Sequence, residues 1–89
     1  MDRNITLNNL PISSGAYISS VNLGGSMRRR LLDFGFTTGA FVVPRFRSPL
    51  GDPTAYEVMG SVVALRSDIA SKISTSEYCP ITKTEADNQ

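Results

Sequence analysis

"AYEVMGSVVAL", residues 55–65, sets two short β-branched and apolar runs on either side of Gly60. Such runs suit a pleated backbone, and a glycine between them supplies the positive φ that a tight reversal needs. The stretch reads as a β-hairpin, with a single bent strand carrying a bulge as the alternative. Ala64 and Leu65 alternate with Val62 and Val63 as in a strand packed on both sides.

Outward from this stretch the signals remain those of short strands. "AFVVPRF" (40–46) is β-branched and aromatic, and Pro44, lacking an N–H, calls for an edge or a bulge there. "GAYISSV" (15–21) reads as a strand with Ala16 and Ile18 on one face and Tyr17 and Val21 on the other. "TLNNL" (6–10) reads as a first strand ended by Pro11. On the C-terminal side, "SDIASKI" (67–73) reads as one or two helical turns with Ser67 as N-cap, and "STSEY" (74–78) as a closing strand. The domain is expected over residues 1–78, with 79–89 as a polar, flexible C-terminal tail.

The longer helix is expected over residues 27–34, with Ser26 as its cap and Gly35 ending it in a left-handed conformation. Met27, Leu31 and Phe34 fall within roughly 60° of one another on the helical wheel and form the expected buried stripe; Leu32 lies to one side. Five or six short strands, a helix between the second and third, and a helical turn near the C-terminus make the chain mainly β. The expected architecture is a small, partly open β-barrel of the SH3-like kind.

Arg28, Arg29 and Arg30 fan out opposite that stripe, with Asp33 within a turn of Arg29 and Arg30 and able to pair with both. Read plainly, this is a solvated helix face whose arginine stems cover apolar surface. Yet the arginines occupy the first turn, where the helix dipole is already positive, and Asp33 sits near the negative end. The arrangement concentrates positive potential at one helix end and suits an acidic or phosphate-bearing partner surface.

The 89 residues make one domain, with 40% apolar and 19% charged side chains. A net charge of +1 gives no global attraction to nucleic acid or anionic lipid, although Arg3, Arg45, Arg47 and Arg66 with Tyr17, Phe46 and Tyr56 are the residues a nucleic-acid surface would draw on. One cysteine, Cys79, gives no disulfide framework within the chain, and no apolar run approaches the roughly 18 residues that span a bilayer. "MDRNITLNN" has no signal-peptide apolar core, and a cytoplasmic protein is expected.

The chain has no histidine, and Cys79 has no base beside it in the sequence. Asp33, Asp52, Glu57, Asp68 and Glu77 are scattered, with no paired-carboxylate or calcium-loop spacing. Neither a closed zinc site nor a phosphate loop can be assembled. The expectation is therefore no enzyme and no cofactor, with the work done by surface recognition.

"RRLLDFGFTTGAFV" (29–42) and "RSPLGDPTAYEVMGSVVALRSDIASKI" (47–73) together resemble the FeoA family, small cytoplasmic accessory proteins of bacterial ferrous iron uptake. The order of features carries the likeness: an arginine-leucine helix ending at "DFGFTTG", a strand, the "SPLGDP" loop, a hairpin and strand ending in Ala-Leu-Arg, and a short helix. "LNNLPISSGAYISSV" fits the first strands more loosely. Thr37-Thr38 and Ser13-Ser14 depart from the family's Pro-containing turns, and Pro44 interrupts the third strand. The resemblance implies an SH3-like barrel that contacts FeoB, the GTP-binding membrane permease, and meets the membrane only through it. The candidate contacts are Arg28, Arg29, Arg30, Arg47, Leu50 and Asp52; a homo-oligomer is compatible, and nucleic acid is not a partner. The alternative is a stand-alone SH3-like adaptor, akin to the C-terminal domain of metal-dependent repressors, with a weak divalent-metal site at Asp52 or Glu57.

Overall fold

The computed structural model describes residues 5–80. Its elements are β1 (Ile5–Thr6), a 3-10 turn (Leu7–Asn9), β2 (Ser14–Val21), α1 (Gly25–Phe34), β3 (Phe41–Arg47), β4 (Thr54–Val58), β5 (Ser61–Leu65), α2 (Ser67–Ala70), β6 (Ile73–Thr75) and β7 (Cys79–Pro80). The expected tail from residue 81 onward lies outside the described residues; before it, Cys79 and Pro80 pair with Gly15 and Ser14.

Gly60 does close a hairpin. β4 and β5 pair antiparallel from Val58↔Ser61 to Thr54↔Leu65. Both turn residues have positive φ, 52° at Met59 and 82° at Gly60, as a type I′ turn requires. β3 pairs with β4, and the register slips between Pro44 and Phe46, so the proline is followed by the expected bulge. The strand order is β1-β6-β2-β3-β4-β5, with β7 also on β2. All pairings are antiparallel. Among the described residues β1 and β5 end that order without pairing with each other, so the sheet is open. It is a mainly β, SH3-like architecture with two short helices.

Several local expectations are corrected. "TLNNL" is not a strand: only Ile5–Thr6 pair, and Leu7–Asn9 coil into the 3-10 turn that buries Leu7. Val21 faces the core with Ile18 because β2 slips by one residue against β6 between Ile18 and Ser20, which reverses the alternation; Tyr17 stays outside. The closing strand shortens to Ile73–Thr75. β5 is an edge strand, with Val62 and Ala64 exposed rather than packed on both sides.

The core joins Leu7, Leu10, Ala16, Ile18, Val21, Leu31, Phe36, Val42, Tyr56, Val58, Leu65, Ala70 and Ile73. From α1 it takes only Leu31, at 1% exposure; Met27 (37%) and Phe34 (41%) each keep more than a third of their surface in solvent. The expected three-residue stripe is thus one anchor and two surface residues, because α1 touches the sheet along a narrow line. The caps differ as well. Gly24, not Ser26, is the N-cap of α1 and uses no side chain, while Gly35 ends the helix at φ 107° as expected. A Cβ on Gly35 would stand 2.7 Å from Met59 Cγ, so the end of α1 is seated on the β4–β5 turn.

Candidate functional site

α1 leaves a groove between itself and the sheet edge. It measures about 390 Å³ and is lined by Met27, Arg30, Leu31 and Phe34 from α1, by Val63, Ala64 and Leu65 from β5, and by Arg66 and Ile69 at α2. The lining carries two guanidinium groups and no carboxylate. Its apolar part includes the two α1 residues that periodicity assigns to the core. Helical spacing records that Met27, Leu31 and Phe34 share a face; it does not tell whether the chain itself covers that face.

The arginine run divides here. Arg30 lines the groove, while Arg28 and Arg29 are exposed on α1 without lining it. The expected pairing of Asp33 with Arg29 and Arg30 does not form; among the described residues the ion pair is Arg45 Nε to Glu57 Oε1 at 3.1 Å, on the outer face of β3 and β4. That pair occupies Glu57, one of the two carboxylates considered for a divalent ion.

Asp52, the other, has a structural task. Its Oδ1 accepts the Ser67 N–H at 2.8 Å. The α2 N-cap is Arg66, which provides no side-chain cap, so the capping oxygen comes from the distant 48–53 loop instead of the expected Ser67 hydroxyl. Ser48 Oγ donates to Asp52 O at 2.7 Å and closes the loop, whose Asp52–Pro53 peptide is cis. Through Ser67 the loop meets the Arg66 end of the groove, so Arg30 and Asp52 border neighbouring parts of one surface. Leu50 projects from the loop tip at 93% exposure. Arg47 points elsewhere, its Nη2 donating to Leu10 O at 3.4 Å. Val63, Ala64, Leu65 and Ile69 were not anticipated as site residues, and Arg66 only as part of a nucleic-acid surface, since no spacing links them to a helix some thirty positions earlier.

A second apolar patch lies on the outer sheet face. The Tyr17 and Phe41 rings sit 5.0 Å apart, tilted by 59°. The Phe41 ring covers Gly15, where a Cβ would stand 2.2 Å from Cζ, so only glycine admits the ring this close. Among the described residues no group of three or more acidic or cysteine side chains gathers as a metal site would need. No described helix is long and apolar enough to cross a membrane.

The FeoA domain model matches residues 5–76. The chain belongs to the FeoA family. The solution structure of a FeoA protein from Chlorobium tepidum is similar at 30% identity and a TM-score of 0.77, covering 81% of this chain and 69% of that one. Iron(II) transport protein A from Clostridium thermocellum gives 25% identity and a TM-score of 0.77 over 81% of this chain, which spans 44% of that longer one. The zinc-complexed FeoA of Stenotrophomonas maltophilia, a prokaryotic SH3 domain protein, gives 27% identity and a TM-score of 0.77, covering 88% of this chain and 99% of that one. No curated protein matches the chain significantly. Membership of this family associates the chain with ferrous iron transport.

Proposed function

We propose that this FeoA-family chain is a cytoplasmic accessory protein of bacterial ferrous iron uptake, acting without catalysis through contact with the GTP-binding iron permease FeoB. The observation that carries the reading is the groove beside α1: an apolar floor left open to solvent, rimmed by Arg30 and Arg66. An exposed apolar surface bordered by charge of one sign suits a protein contact, with apolar burial supplying affinity and charge supplying orientation. Arg28, Arg29, Leu50 and Asp52 flank the contact, whereas Arg47, turned toward Leu10 O, stands apart from it. A pull-down with the permease's soluble GTP-binding domain, with and without guanine nucleotide, tests the proposal. Retention that weakens when Arg30 and Arg66 are reversed in charge is the expected result; no retention in either nucleotide state overturns it.

A further inference from the structure

β5 ends the strand order, and among the described residues its outer edge has no partner strand. The type I′ turn fixes which groups that edge presents. A two-residue hairpin makes the flanking pair, Val58 and Ser61, a hydrogen-bonded one. The alternation then makes Tyr56↔Val63 and Thr54↔Leu65 bonded pairs, and Glu57↔Val62 and Ala55↔Ala64 non-bonded ones. The N–H and C=O groups of Val62 and Ala64 therefore point away from β4. Outside the ladder, no hydrogen bond among the described residues reaches either residue. The groove lies on this edge: Val63, Ala64, Leu65 and Arg66 line it consecutively, whereas a groove over one face of the strand would take alternate residues.

Sheet edges in soluble proteins are usually blunted by lysine, proline or an inward charge. β5 reads Ser-Val-Val-Ala-Leu, with none of these, and Val62 is 57% exposed. We propose that this edge accepts an extended segment of a partner protein, which adds a strand beside Val62 and Ala64, lays apolar side chains toward Met27, Phe34 and Ile69, and sets carboxylates against Arg30 and Arg66. Main-chain bonds would give the affinity and the flanking side chains the choice of sequence. A second copy of this chain fits less well, since β5 brings no carboxylate to the two guanidinium groups. The inference deepens the partner-contact reading and rests on it only for the identity of the protein that supplies the strand.

The test titrates the 15N-labelled full chain with a peptide alternating valine and glutamate, with its lysine counterpart, and with an acidic amphipathic helical peptide. Amide exchange at Val62 and Ala64 and the affinity are read in each case. The acidic extended peptide should protect both amides, and the lysine version should bind at least about tenfold more weakly. Ala64→Pro removes one outward N–H at a position where an edge strand tolerates proline, and should lower affinity by about tenfold. Should that proline perturb the sheet, the Arg30→Glu, Arg66→Glu pair, which touches no ladder, should reverse the charge preference. No protection by the extended peptide, tighter binding of the helical one, or protection that grows with protein concentration alone would each overturn the inference. If the permease domain binds wild type and Ala64→Pro equally, the strand inference falls and the contact reading stands. If the peptide protects the edge while the permease domain fails to bind, the contact reading falls and the strand inference stands.

Discussion

Asp52 Oδ1 accepts the Ser67 N–H at 2.8 Å, joining a loop to a helix fifteen residues away. Ser67 is the first residue of α2, so its N–H has no acceptor within the helix. Asp52→Ala should lower stability by about 0.5 to 1 kcal/mol, the smaller end of the range for a lost cap because the bond is exposed, and Asp52→Asn should retain most of it. Urea unfolding of the two variants checks the ordering.

Leu31 and its neighbours on α1 should separate stability from recognition. Leu31→Ala removes a fully buried side chain and should cost about 2 to 4 kcal/mol. Met27→Ala and Phe34→Ala, at positions more than a third exposed, should each cost less than about 1 kcal/mol while weakening partner retention. Denaturation midpoints set beside pull-down yields make the comparison; equal losses of stability at all three positions would contradict the open groove.

Arg28 and Arg29 should bear on docking and little on stability. α1 begins at Gly25, so both arginines stand in its second turn rather than in the expected first, where the dipole acts most strongly; replacing them with glutamate should change stability by less than about 0.5 kcal/mol. The same change should weaken docking to an acidic partner and flatten its salt dependence. Thermal melts and binding at two ionic strengths distinguish the two consequences.

Met59 holds a left-handed backbone at φ 52° with 73% of its surface exposed. Asparagine adopts that conformation more readily and leads glycine in the favoured type I′ pair. Met59→Asn should therefore raise stability by about 0.5 to 1 kcal/mol, less whatever the Met59 contact with Gly35 contributes. A melting temperature below wild type would mean that the contact outweighs the strain.

Tyr56 sets a limit on the alkaline side. Its hydroxyl donates to Leu7 O at 3.4 Å, and burial pushes its ionisation above the usual value of 10.0, against smaller opposing contributions from Thr54 and Arg47. The folded state then keeps a proton that the unfolded chain has released, so stability falls as pH rises in that interval. The contribution is complete below about pH 10 and is lost as pH climbs through the folded-state value. Tyr56→Phe should remove this part of the alkaline slope and change stability little at neutral pH, as urea midpoints from pH 8 to 11 would reveal.

Much of the fold is legible where local chemistry decides it. Gly60 marks the hairpin, Gly35 the end of α1, and Pro44 the bulge in β3. The failures arise where distant chain intervenes. The face of Val21 depends on a one-residue slip against β6, and the cap of α2 comes from Asp52 rather than from the adjacent Ser67. Of the site, the arginine run and the 48–53 loop were visible as unusual segments. The groove between Arg30 and Arg66 was not, because it exists only once β5 lies beside α1.

The pairing of Ile5 with Thr75 carries a consequence for how the molecule is made. Thr75 Oγ1 also donates to Ile5 O across seventy positions, so the first strand has no seat until β6 has emerged from the ribosome. The β3–β5 meander can form early from neighbouring segments, but joining β1 to the rest requires closing a loop through nearly the whole domain, which is the slowest class of contact to establish. Until then the side of β2 that β6 later covers lies bare along with the apolar β5 edge, which makes the interval before release the time when this small protein is most exposed to aggregation.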